Sequence, residues 1–261
     1  MNTLALIKNT FFLLFVLNGC SHVSTADKSL SNKHQKLAAE FAKDKLYPQA
    51  ITQYQNALSL DPKNPGIYNG LSHVHSEMGN FLQAKNYASK ALKINNNAYN
   101  HYQLARIHLK EKQKSKALKH AREAMRLNKA NNFADLYFLS SKIFLEYQKY
   151  QLAHKYLNKA LKINPKSCPY KNYQTKILYR LKQNFNAYQE ARLNAKNCPL
   201  YPQAHFWLAF LSSIQGQKGK AIASLKHIKE RFSDAAVYSE SKKYILFLRN
   251  KIKLPEPREH F

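Results

Sequence analysis

Six alanines recur along the chain, at Ala50, Ala84, Ala117, Ala153, Ala187 and Ala221, with spacings of 34, 33, 36, 34 and 34 residues. A steady period of that length means one supersecondary unit repeated in series, because such a unit cannot bury its apolar face alone and must stack on its neighbours. Seven residues beyond each of the first four stands a second alanine, Ala57, Ala91, Ala124 and Ala160. A spacing of seven keeps to one helix face, and a methyl group there lets two helices cross closely. Six glycines in 261 residues leave little room for tight turns and none for a Gly-rich phosphate loop. The chain is therefore expected to be all-α.

A 34-residue period with small residues at these places resembles the tetratricopeptide repeat. The string from Ala50 through Tyr54 and Ala57 to Pro62 follows that pattern, as does Ala153, Leu157, Ala160 and Pro165. First-helix positions agree, with Leu37-Ala38 before Phe41, Leu104-Ala105 before His108, and Leu208-Ala209. The resemblance implies a superhelical solenoid of six helix-turn-helix repeats over 31–64, 65–97, 98–133, 134–167, 168–201 and 202–234. The fifth is irregular: Gln174-Thr175 replaces the large-small pair and Asn194 stands where the second alanine belongs. Residues 235–252 mix Tyr238, Tyr244, Ile245 and Phe247 with Lys242, Lys243 and Arg249, which suits a half-polar capping helix. Residues 253–261 read as a mobile Pro-containing tail.

The first 19 residues read as an address. Lys8 precedes the apolar run Phe11 to Leu17, too short to cross a bilayer but suited to a secretory signal. Leu17, Asn18, Gly19 and Cys20 resemble a bacterial lipobox, which implies lipidation of Cys20 and removal of what precedes it; a plain signal with a chance cysteine is the other reading. Ser21, where many inner-membrane lipoproteins carry Asp, implies the periplasmic face of the outer membrane. Residues 20–30 are small and polar and read as a flexible tether.

Cys168 and Cys198 frame the fifth repeat. Both ends of an antiparallel hairpin lie together, so a disulfide could close it in an oxidising compartment; two free buried thiols are the alternative. His73 and His75 lie on different helix faces, while His101 and His108 are two turns apart on one, and neither pair has the spacing of a zinc hydrolase. No nucleophile elbow or nucleotide-binding string occurs. No metal, no cofactor and no catalytic residue is expected, and the repeats leave no stretch for an enzyme domain.

First helices in this architecture line a concave groove. Its register positions hold Tyr99, Tyr102, Arg106 and Lys110 in the third repeat, Phe138, Lys142 and Leu145 in the fourth, Asn172, Lys176, Tyr179 and Arg180 in the fifth, and Phe206, Phe210 and Ile214 in the sixth. Aromatic and basic side chains suit a protein partner with acidic groups, although the same rings could simply pack between neighbouring helices. The Lys and Asn of a carboxylate clamp are missing, with Gln35 and Ala39 in their places. A net charge of +27 points to anionic partners without choosing among them. The run Lys110, Lys112, Lys114, Lys116, Lys119, Arg122, Arg126 and Lys129 reads as a solvated outer face. Nucleic acid is not expected at an exported lipoprotein, whereas an anionic envelope glycan is conceivable.

A lipobox joined to six such repeats resembles the pilotin family of type IV pilus biogenesis lipoproteins. That resemblance implies an outer-membrane protein that helps the pilus secretin to localise and assemble. Lipoproteins that assist outer-membrane protein assembly or scaffold peptidoglycan hydrolases share the same architecture, and an envelope glycan-binding protein or enzyme is the rival of another class.

Overall fold

The computed structural model describes residues 23–232, 235–250 and 253–257. The signal segment and the lipobox lie outside them. Thirteen α-helices and no strands occur among the described residues. They divide into two compact bodies, one up to Asn95 and one from Asn96.

The first body holds two antiparallel helix pairs, α1 (Thr25–Lys43) with α2 (Tyr47–Leu60) and α3 (Pro65–Glu77) with α4 (Phe81–Ile94). Its core joins Ala38, Ala50, Tyr54, Ala57, Ile67, Leu71 and Val74. The expected tether is corrected here, since helix α1 starts at Thr25. Ser24 caps it, its Oγ accepting the Asp27 N–H at 3.0 Å and donating to the Asp27 carboxylate at 2.6 Å. Ser, then Asp three residues on, is a helix-start string that holds orphan backbone donors and places negative charge at the positive helix end. Ser31, fully buried, then donates to the Ala57 carbonyl at 2.9 Å and ties α1 to α2.

The second body holds α5 (Ala98–Lys110), α6 (Lys114–Leu127), α7 (Ala134–Glu146), α8 (Tyr150–Ile163), α9 (Cys168–Arg180), α10 (Asn184–Asn197), α11 (Pro202–Ile214), α12 (Lys218–Arg231) and α13 (Ala235–Arg249). Successive helices pair α5 with α6, α7 with α8, α9 with α10 and α11 with α12, and α13 packs on α12. Each alanine of the repeating series is fully buried where second helices press on their partners, from Ala50 to Ala221.

The same period governs the backbone. Residues 45, 79, 112, 148, 182 and 216 all have positive φ, each five positions before its alanine. Each closes a first helix in the same way: the next residue's N–H reaches back five residues, as Gln113 does to the His108 carbonyl at 2.8 Å and Gln183 to Leu178 at 3.0 Å. This left-handed stop reverses the chain and fixes the hairpin angle. Glycine fills it only at Gly79 and Gly216; Lys45, Lys112, Gln148 and Lys182 fill the others.

Cys168, the first residue of α9, and Cys198, the cap of α10, are joined by a disulfide with their Cα atoms 5.9 Å apart. The tail expectation is corrected as well. Leu254 is buried with the cluster of Phe206, Trp207, Phe210 and Tyr244, Pro257 is buried, and Glu256 meets Arg180 at 2.8 Å.

Candidate functional site

The first helices of the second body carry a strip of rings and cations. At its start Tyr102 lies 4.8 Å from Phe133, and Tyr99 lies 6.1 Å from Tyr102 and 6.2 Å from Phe133, between ring centroids. Gln103 donates to the Tyr99 hydroxyl at 2.6 Å and orients it. On α7, Phe138 packs at 4.6 Å from Tyr170 and edge-on at 4.9 Å from Tyr173, both on α9. Rings at such separations and tilts attract beyond their area burial.

Cations sit over these rings. Lys142 Nζ is 5.7 Å from the Phe138 ring and 5.3 Å from Tyr173, and Lys176 Nζ is 5.7 Å from Tyr173. The spacing follows from helix geometry, since Phe138 and Lys142 are four residues apart on one face. A ring's negative face attracts the ammonium and helps to hold it in place. Asp135 is already engaged by the Tyr170 hydroxyl, which donates to its carboxylate at 2.5 Å. Burial, followed by that carboxylate, pushes the Tyr170 phenol well above its ordinary range. Burial also raises Tyr102, partly offset by Arg106.

Several groove expectations need correction. Phe206 and Phe210 are 1% and 2% exposed and belong to the core of the last repeats, where Phe206 meets Tyr244 of α13 edge-on at 5.3 Å and Phe210 meets Tyr179 at 5.2 Å. The physical reason is that α13 and residues 253–257 cover this end. Asn172 and Leu145 are also buried between helices. Tyr99, Lys110, Arg180 and Ile214 are exposed, and Tyr102, Arg106, Phe138, Lys142, Lys176 and Tyr179 are half-buried. Sequence reading missed Phe133, Tyr170 and Tyr173, which lie outside the register positions used; their aromatic character was the only signal.

On α6, Lys116, Lys119, Arg122 and Arg126 face solvent, as a charged outer face would. Lys114 is engaged by Glu146, at 3.3 Å from its carboxylate and 2.7 Å from its carbonyl, and Arg126 by Glu123 at 2.9 Å. His101 and His108 share a site with His120, a residue the sequence analysis did not single out: His108 stacks on it with centroids 5.5 Å apart and His101 lies at 5.3 Å. Among the described residues no group of His, Cys, Asp and Glu has an arrangement that could hold a metal ion, and no helix is long and apolar enough to cross a membrane.

Comparison with known proteins agrees with the hairpin architecture. A TPR repeat family profile matches residues 41–79, and a tetratricopeptide repeat profile matches residues 65–97 and 134–167. Tetratricopeptide repeat protein 6 of Homo sapiens is 30% identical over 121 residues, 46% of this chain and 23% of that protein. The chain thus spans about a quarter of the length of the curated relatives it matches. Among solved structures, Pseudomonas aeruginosa pilF superposes with a TM-score of 0.67 at 17% identity, covering 84% of this chain and 99% of that one. PilW, a type IV pilus biogenesis factor, gives 0.70 at 15%, covering 80% and 97%. Those identities establish a shared fold. The chain has an all-α fold of tetratricopeptide type, with the repeat itself matched over residues 41–97 and 134–167.

Proposed function

We propose that this chain is a non-enzymatic scaffold lipoprotein of a bacterial envelope, which grips an acidic segment of a protein partner along the strip of α5, α7 and α9, and that the partner is a type IV pilus secretin. The observation that carries the reading is the arrangement of Phe138 and Tyr173 under Lys142 and Lys176, with Tyr170 packed against Phe138. Half-buried Phe138, backed by the buried rings of Tyr170 and Tyr173 and flanked by half-buried Lys142 and Lys176, gives a partner apolar area and a counter-charge for its carboxylates, at little cost in side-chain freedom. Support for the pilus reading comes from the fold shared with pilF and PilW, whose chains are matched over nearly their whole length. Support for the anchor comes from the Leu17, Asn18, Gly19 and Cys20 string. Acyl chains on Cys20 would hold the repeats at the leaflet and raise the local concentration of whatever they carry.

Crosslinking in intact cells followed by purification tests this. Secretin should co-purify with the wild type, fall at least about fivefold with Lys142→Glu/Lys176→Glu, and fail to reach the membrane fraction in Cys20→Ser. Recovery of barrel-assembly subunits or peptidoglycan hydrolases instead would replace the partner, and capture unaffected by the charge reversals would remove the strip from the account.

A further inference from the structure

The far end of the strip already has an occupant. Beyond α13, residues 253–257 have no regular secondary structure, and their side chains divide by role. Leu254, 2% exposed, enters the apolar cluster of Phe206, Trp207 and Phe210. Glu256 reaches Arg180, the last residue of α9, at 2.8 Å, and Pro257 is buried while Pro255 faces solvent. Tyr179, Arg180 and Ile214, which flank the segment, stand at groove-register positions of α9 and α11. Beside Lys253 and Leu254 a cleft of about 510 Å³ remains open, lined also by Tyr179, Lys182, Asn184 and Ile214.

We propose that this end is a seat for a peptide of defined chemistry, a large aliphatic residue followed two positions later by a carboxylate, with prolines around them, and that the chain's own Leu254 to Pro257 holds the seat until a partner segment of that kind displaces it. Proline explains the form of the occupant. Each proline fixes its own φ and disfavours helix at the residue before it, so Leu254 and Glu256 are held extended and little entropy is lost on docking. Arg180 supplies the matching cation, and its guanidinium fork suits a carboxylate better than a lysine would. Tethering gives the cis segment an effective concentration on the order of millimolar. A partner segment present at micromolar concentration would overcome that by binding the open seat about a thousandfold more tightly than the cis segment does. This inference rests on the proposed function only in that both use the first-helix face, and it names the ligand chemistry at one end of it.

The test uses the full chain and a fluorescent peptide of residues 251–261 supplied in trans. Wild type should bind the peptide weakly. Leu254→Ser/Glu256→Arg, which releases the cis segment, should bind it at least about tenfold tighter, and adding Arg180→Glu should abolish the gain. The swap Arg180→Glu/Glu256→Arg restores the cis pair and should return the unaltered peptide to weak binding, with circular dichroism showing that the cap helix persists. Equal peptide affinity in wild type and the released variant, with no effect of Arg180→Glu, would overturn the seat. That outcome leaves secretin capture through Lys142 and Lys176 standing, whereas loss of secretin capture alone leaves the seat standing.

Discussion

The imidazoles of His101 and His120 face each other through their Nδ1 atoms at 3.0 Å. One must donate and the other accept, so a proton on each would set two donors and two positive charges against one another. Burial, followed by repulsion from His101 and His108, brings His120 down to about 4 from an ordinary 6.5, and burial also lowers His101. In the last repeat His205 is brought to about 4, first by burial and then by His227, against the opposing pull of the Pro199 carbonyl. An unfolded chain would take up protons that the fold refuses. Stability is therefore fully present above pH about 6.5 and lost as pH falls toward 4. Thermal unfolding should show Tm dropping by about 5 °C or more between pH 7 and 4.5. His120→Gln, which cannot charge, should flatten part of that slope; an unchanged slope would separate His120 from it.

Gly70 has a steric reason to be glycine. A Cβ added there would stand 2.2 Å from Cζ of Tyr54, whose ring is buried at 5% exposure. Alanine is the better helix former by about 1 kcal/mol, yet Gly70→Ala should destabilise by about 1–3 kcal/mol because the ring must move in a packed core. Urea unfolding of a double-mutant cycle checks the cause: with Tyr54→Ala already present, Gly70→Ala should cost little.

Asn194 occupies the place of the repeat's second alanine, is 1% exposed, and among the described residues neither its amide nitrogen nor its oxygen has a hydrogen-bond partner. Burying an amide without partners costs about 1–3 kcal/mol. Asn194→Ala should therefore raise stability by about 1 kcal/mol. A fall in Tm would show that the amide is held by contacts outside this arrangement.

Lys112, Gln148 and Lys182 hold left-handed backbone at φ values of 60°, 57° and 64°, where Gly216 holds 74° at the matching turn. Side chains in that region cost about 1 kcal/mol or more. Replacing each by glycine should gain about 0.5–1 kcal/mol even after the added freedom of the unfolded chain is counted. Sites this far apart should add. Gly216→Lys should lose a similar amount, and calorimetry reads all four.

The alanine series made the hairpins legible because each methyl sits at a helix crossing, so the chemistry of one position reports a backbone contact. Cys168 and Cys198 were legible for the same reason, their places in the period putting both at one end of a hairpin. Phe206 and Phe210 were not. Their register is that of the groove, but what covers them is α13 and Leu254, and no local pattern announces a neighbour some forty residues downstream. Ser24 and Asp27 did carry a helix-start signal, passed over because the surrounding residues are small and polar. His120 lacked any marker, since an imidazole on a basic helix looks solvated until the facing helix supplies two more.

Because sulfur links the first residue of α9 to the cap of α10, the covalent path from Ser167 to Pro199 bypasses the whole hairpin between them. A pull on the chain would run across that shortcut, leaving the looped residues slack and the strip's α9 side chains in register. A protease nick at the Lys182 turn would likewise leave one molecule, not two, until a reductant parted the halves.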